Sequence, residues 1–142
     1  MKKIAIVYYS GTGNTLEMAN AILDGVLEAN GEALIFNVSD ISAADLKDYD
    51  VLVLGCPAMG DEVLEEEEFE PFFSELEGSL NGKDVALFGS YGWGDGQWMR
   101  EWQDRTVKAG AKMVKDGIIC NDAPDEEIVI ELKKLGNEIV KL

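Results

Sequence analysis

Histidine is absent from this 142-residue chain. That absence removes the usual zinc sites, the histidine-based triads and any imidazole general base. Positive charge is scarce as well: 12 Lys and Arg stand against 28 Asp and Glu, a formal net charge of −16. Nucleic acids and anionic membranes associate with proteins through clustered positive charge, so neither is expected as a partner. Acidity of this kind fits docking onto basic protein surfaces, where complementary fields speed encounter, and it also keeps a protein soluble. The two cysteines, Cys56 and Cys120, form no Cys-x-x-Cys pair, and each closes an apolar run, which predicts buried free thiols. No apolar run approaches the ~20 residues of a membrane span. The start Met1-Lys2-Lys3-Ile4 leads directly into a strand pattern without a signal peptide's apolar region. A cytoplasmic chain forming one domain over 1–142 is the expectation, and its length suffices for a single substantial core.

What is present is an alternation of strand-like and helix-like segments, the pattern of an α/β protein with a parallel sheet. Strands are predicted at Ile4 to Tyr8, Glu32 to Val38, Val51 to Cys56, Asp84 to Ser90 and Lys112 to Cys120. The third and fourth are continuous apolar runs, as strands covered on both faces should be. Helices are predicted at Asn14 to Glu28, at Ser42 to Lys47, around Phe69, Phe72, Phe73 and Leu76, at Gly96 to Lys108, and from Asp125 into the lysines Lys133, Lys134 and Lys141. Five strands and five helices in this order predict a doubly wound open five-stranded parallel sheet with helices on both faces. Trp98 and Trp102, four residues apart on one helix, read as core anchors.

Between the first strand and the first helix lies Tyr9-Ser10-Gly11-Thr12-Gly13-Asn14-Thr15. A helix start carries unpaired N–H groups and positive partial charge, so an anion placed there satisfies donors that otherwise need water. Gly11 and Gly13 let the backbone approach closely, and Ser10, Thr12, Asn14 and Thr15 add short donors. The P-loop pattern fails here, because no lysine occurs between Lys3 and Lys47. The dinucleotide fingerprint begins at Gly11 and Gly13 but meets Leu16 where a third glycine belongs. A capped turn without a ligand is the remaining alternative, although four hydroxyl or amide side chains exceed what one cap needs.

In an open doubly wound sheet, ligands bind beyond the C-terminal strand ends at the switch in strand order. That places the first loop beside Pro57-Ala58-Met59-Gly60-Asp61-Glu62 and Ser90-Tyr91-Gly92-Trp93-Gly94-Asp95-Gly96. Trp93, flanked by glycines, has no large neighbour in sequence to bury it; a flat ligand stacked on its ring explains it better than core packing does.

These three segments, in order at strand ends, resemble those of a short-chain flavodoxin of the type found in anaerobic bacteria, and the likeness covers the whole chain. The strand order 2-1-3-4-5, with FMN at the switch between strands one and three, is that family's known geometry and comes here from the resemblance. The resemblance implies that Ser10, Gly11, Thr12, Gly13, Asn14 and Thr15 cradle the FMN phosphate. Met59 would lie against the inner face of the isoalloxazine and Trp93 over the outer face. Gly60 would offer its carbonyl to N5, and Glu62 would accept from N3–H. Gly92 and neighbouring amides would meet the pyrimidine edge, with Pro57, Ala58, Asp61, Ser90, Tyr91, Gly94 and Asp95 completing the two loops. Tyr9 is a departure, since similar members carry tryptophan beside the ribityl and phosphate. The implied function is one-electron transfer at low potential, FMN cycling between semiquinone and hydroquinone, in a monomer serving reductases and oxidoreductases with basic docking surfaces through transient contacts. Two alternatives share the fold. An FMN enzyme such as an NAD(P)H:quinone reductase would need a further segment to build a substrate pocket, and a phosphoacceptor receiver domain would need an aspartate where Gly55-Cys56-Pro57 stands.

Overall fold

A computed structural model describes residues 2–142. Parallel strands β1 (Ile4–Tyr8), β2 (Leu34–Asn37), β3 (Val51–Gly55), β4 (Asp84–Tyr91), β5 (Lys112–Met113) and β6 (Ile118–Asn121) alternate with helices α1 (Asn14–Glu28), α2 (Phe69–Leu76), α3 (Gln97–Lys108) and α4 (Glu126–Val140). The sheet order is β2-β1-β3-β4-β5, with β6 also pairing with β4. This is the doubly wound arrangement expected, with two corrections. The predicted helix at Ser42 to Lys47 is a 3-10 turn over Ala43–Leu46, which leaves four α-helices rather than five; Ser42 and Asp45 cap it reciprocally. The predicted last strand is broken in two: Val85 pairs with Met113 and Phe88 with Ile118, so β4 advances three residues while its neighbour advances five. The two extra residues leave the ladder near Lys115-Asp116-Gly117, where the Gly117 amide donates instead to Gln103 Oε1 at 2.9 Å.

Alternation along the strands builds a core on each face of the sheet. Ala5, Val7, Leu52, Leu54 and Leu87 face α2 and α3, where Phe69, Phe73, Trp98 and Trp102 fill the interior. Ile4, Ile6, Val51, Val53 and Phe88 face α1 and α4, against Met18, Ile22, Val26, Leu132, Leu135 and Ile139. The helices α1 and α4 touch through Gly25 and Gly136, where a Cβ on either would strike the other helix's backbone. Asn137 Nδ2 donates across that contact to the Gly25 carbonyl at 2.7 Å. The N-terminus of α1 is thereby held at the C-terminal end of β1, next to the loops that follow β3 and β4.

Both cysteines are free and buried. Burial pushes the Cys56 thiol well above its ordinary range and raises that of Cys120. Among the described residues, no helix is long and apolar enough to cross a membrane.

Candidate functional site

The chain leaves β1 with the Tyr9 amide bonded to the Gly55 carbonyl at 3.0 Å, then turns into α1 through Gly13, whose φ of 100° lies in the left-handed region. Ser10 Oγ sits inside the turn, accepting from the amides of Gly13 at 3.0 Å and Leu16 at 3.3 Å. Thr15 is buried, and Thr12 Oγ1 takes a long contact of 3.5 Å from the Asn14 amide. Among the described residues, the amides of Gly11, Thr12 and Thr15 meet no protein acceptor. A loop shaped by its own serine, with unpaired N–H groups at a helix N-terminus, is suited to an oxyanion.

After β3, the Ala58 amide donates to the Ser90 carbonyl at 3.0 Å, and the chain makes a tight reversal over residues 59–63. Met59 and Val63 close it with two backbone hydrogen bonds of 2.8 and 3.0 Å. Two residues inside have positive φ, Gly60 at 52° and Glu62 at 57°. The second is unusual for a glutamate and needs a reason. The Glu62 side chain supplies it: Oε1 accepts from the Asp95 amide at 2.9 Å and the Gly96 amide at 3.3 Å. That carboxylate, buried, staples the loop after β3 to the loop after β4. A Cβ at Gly94 (φ 91°) would collide with the stapling oxygen.

Trp93, expected on the surface of a ligand site, is 63 % exposed. Met59, on the stapled partner loop, is 38 % exposed. Two large apolar side chains thus stand in solvent on loops joined by one buried carboxylate. Tyr91 does not join them with its ring, which packs into the core 5.6 Å from Trp98; it contributes backbone, its carbonyl accepting from the Asp122 amide at 2.8 Å. Ser90 Oγ donates to the Asp122 carbonyl. Asp95 turns outward to pair with Arg100 at 3.0 Å. Pro57 and Ala58 are half-buried at the base of the 59–63 turn, and Gly60 and Asp61 are exposed at its tip.

Two parts of this end of the sheet escaped the sequence reading. The first is the loop after β6, where Asp122 (φ 58°) lies beside Gly92 and ties to Ser90 and Tyr91. Only the pairing of β6 with β4 brings it there. The second is Glu65. In the sequence it is one of four consecutive acids, yet its carboxylate is buried and accepts from the amides of Glu67 (2.9 Å), Glu68 (2.8 Å) and Phe69 (2.9 Å), capping the start of α2. Its own amide donates to Cys56 Sγ at 3.4 Å. Burial pushes the Glu65 carboxyl up, but the three amides outweigh it and hold the group below its ordinary range. Tyr9 faces this segment across a cleft of about 540 Å³ that Met59, Asp61 and Glu66 also line. Burial first, then the charges of Glu65 and Glu68, raise its phenol above the usual value.

Acidic side chains crowd the C-terminal end of the sheet. The loops at the C-terminal strand ends carry Asp61, Glu62, Glu65 to Glu68, Asp95 and Asp122, and Arg100 is the cation that α3 brings to this end. Where strands begin, Lys2, Lys3, Lys47, Lys83 and Lys112 are interspersed with Glu32, Asp48, Asp50 and Asp84, and Lys2 pairs with Asp84 at 3.0 Å. Lys83 Nζ is committed there, donating to the carbonyls of Lys47 at 2.9 Å and Tyr49 at 2.6 Å.

The family model described as flavodoxin matches residues 6–134. The flavodoxin of Clostridium beijerinckii is 52% identical over 135 residues, 93% of this chain and 98% of that relative. The flavodoxin of Megasphaera elsdenii is 46% identical over 138 residues, 97% of this chain and 98% of the relative. Among solved structures, two-electron reduced Megasphaera elsdenii flavodoxin superposes with a TM-score of 0.89 at 45% identity, covering 98% of this chain and 99% of that one. A flavodoxin from the domain Archaea gives a TM-score of 0.87 at 27% identity, with coverage of 98% and 96%.

Proposed function

Because the chain belongs to the flavodoxin family and is an FMN-dependent electron carrier, we propose that the FMN sits across the three loops that follow β1, β3 and β4 at the C-terminal end of the sheet. FMN supplies one-electron chemistry when bound; the protein needs no acid, base or nucleophile of its own and supplies binding and electrostatics. Ser10, Gly11, Thr12, Gly13, Asn14 and Thr15 hold the phosphate. Tyr9 stands beside it and the ribityl chain. Met59 and Trp93 take the two faces of the ring system, the Gly60 carbonyl and the Glu62 carboxylate meet its polar edge, and Gly92 with neighbouring amides completes that edge.

One observation carries this reading. Trp93 and Met59 are exposed apolar side chains on loops that Glu62 ties together, next to a helix start with unpaired amides. A flat ring bearing a phosphate tail satisfies all three features at once. The absence of cations in the phosphate loop adds to the reading, since neutral donors leave the phosphate charge in place next to the ring.

Partners are redox proteins, reductases and oxidoreductases with basic docking surfaces. The acidic rim of the site supports this. The contacts are transient, the carrier a monomer, and the compartment the cytoplasm, in keeping with two free buried thiols. A redox titration of the FMN-loaded protein tests the function: two one-electron steps, the second at low potential, are expected. Turnover of NAD(P)H with a quinone and no added reductase would overturn it.

A further inference from the structure

Among the described residues, three that are not glycine hold a positive φ: Asn30 at 62°, Glu62 at 57° and Asp122 at 58°. Asn30 follows the C-terminal end of α1, where the left-handed turn after a helix suits asparagine. The other two both act on the loop that carries Trp93. Glu62 grips its far end through the amides of Asp95 and Gly96. Asp122 grips its near end, with its amide donating to the Tyr91 carbonyl at 2.8 Å and its carbonyl accepting from Ser90 Oγ. Ser90 is buried, and its own carbonyl accepts from the Ala58 amide at 3.0 Å, which carries this grip across to the loop after β3. Gly92, Trp93 and Gly94 are the stretch left between the two grips.

The two acids differ in what keeps them left-handed. Glu62 is held by its side chain. The Asp122 carboxylate is exposed and, among the described residues, makes no hydrogen bond or ion pair; the bonds that fix its backbone are main-chain ones, to Ser90 and Tyr91. Left-handed backbone is costly for L-residues, less so for aspartate and asparagine, and glycine adopts it freely. Oδ1 of Asp122 lies 3.8 Å from where a Cβ on Gly92 would stand, so the loop after β6 runs directly alongside the start of the gripped stretch. A loop held at both ends has less freedom to lose when a ligand closes on it. We propose that Asp122 is a positioning residue for the cofactor site: through its left-handed backbone it fixes, from the β6 side, the start of the loop whose other end Glu62 fixes. Gly92 and Trp93 are thereby presented in place. The proposal rests on the reading that FMN lies against Trp93.

Asp122→Val and Asp122→Asn separate backbone from charge, because valine is poor in left-handed backbone whereas asparagine keeps that conformation and loses only the charge. In the full-length apoprotein, protection of the position-122 amide against hydrogen exchange should fall ~5–30-fold in Asp122→Val, the equilibrium factor of the left-handed penalty, and should hold in Asp122→Asn. FMN affinity by calorimetry should follow the same order. The loss of affinity in Asp122→Val should also shrink in a Trp93→Ala background, which an unrelated loss of stability would not produce. Unchanged protection in Asp122→Val overturns the proposal, as does an equal loss of affinity in Asp122→Asn, which would assign the role to the carboxylate. Lowered protection with unchanged affinity overturns it as well. In that case full affinity in Trp93→Ala places the failure in the cofactor reading, and weakened affinity there places it in the anchor. Should Asp122→Val fail to fold, Ser90→Ala removes the hydroxyl donor to the same carbonyl; protection and affinity should then fall roughly two- to ten-fold, and no fall in either overturns the proposal.

Discussion

Glu62 and Glu65 stand three residues apart, both are buried, and both spend their carboxylates on backbone amides, yet the two regions they organise differ in kind. Glu65 acts locally, gathering the amides of Glu67, Glu68 and Phe69 into the start of a helix. Glu62 acts at long range, reaching amides more than thirty positions away and holding its own backbone at positive φ to do so. The first region stabilises the fold; the second sets the spacing of the proposed site. Local caps are independent of the ligand, whereas a staple between loops is felt by whatever lies between them.

The comparison predicts that the two carboxylates fail differently. Glu65→Ala should lower the stability of the FMN-loaded protein by ~3 kcal/mol, the scale of losing charge-assisted hydrogen bonds to three amides together with a helix cap. Urea unfolding measures it, and a loss below ~1 kcal/mol would make the cap ornamental. The same carboxylate carries a pH signature. The Glu65 carboxyl is held below its ordinary value in the folded chain, so its stabilisation is fully present above the unfolded-state value of 4.5 and is lost as pH falls through the folded-state value. Glu65→Gln should therefore flatten the acid side of the stability profile and change its slope little near neutrality.

Gly94→Ala attacks the other region. It adds a Cβ against the Glu62 carboxylate at a residue whose φ is 91°. Strain of this kind costs ~1–3 kcal/mol, and because it falls on the staple, FMN affinity should drop by ~2 kcal/mol. Calorimetry with FMN checks this, and unchanged affinity would show that the staple does not govern the site.

Trp93→Ala sharpens the contrast further. The residue is 63 % exposed, so the apoprotein should unfold at the parent's urea concentration. FMN binding should weaken by ~1–3 kcal/mol, the range for an aromatic stacked on a flat base. Equal affinity would assign the tryptophan to a partner interface instead.

The smallest effect concerns charges that neither cap nor staple anything. Asp61 and Glu66 are exposed on the cleft rim, while Glu65 is a cap and Asp95 is paired with Arg100. Asp61→Asn with Glu66→Gln should raise the second one-electron potential by roughly 10–30 mV at low salt and less at high salt, because the Debye length shrinks to ~8 Å at physiological ionic strength. No shift at low ionic strength would remove electrostatic repulsion from the explanation of low potential.

Legibility in the sequence follows the same division. The turn with unpaired amides at the start of α1 could be read because its logic is local: a strand, two glycines, short donors and a helix within a dozen residues. The isolation of Trp93 between glycines was equally local. The break in the last strand was also written locally, in Asp116-Gly117, but the continuous apolar character on either side hid it. The 3-10 turn at Ala43–Leu46 reflects a segment too short to repay helix nucleation. What could not be read was pairing across the chain. Nothing in the sequence near Glu62 signals that one of its carboxylate oxygens serves the amides of Asp95 and Gly96. Glu65 looked like its three acidic neighbours, and only the position of Phe69 and Pro71 at the start of α2 singles it out.

The central claim is that a phosphate-bearing flavin is held by neutral donors at the start of α1 and not by its ring alone. Calorimetric titration of the apoprotein with FMN and with riboflavin compares two ligands that differ by that phosphate. The account predicts that FMN binds tighter by at least ~3 kcal/mol, as the loss of charge-assisted hydrogen bonds from several amides requires. Equal affinity for the two would contradict it.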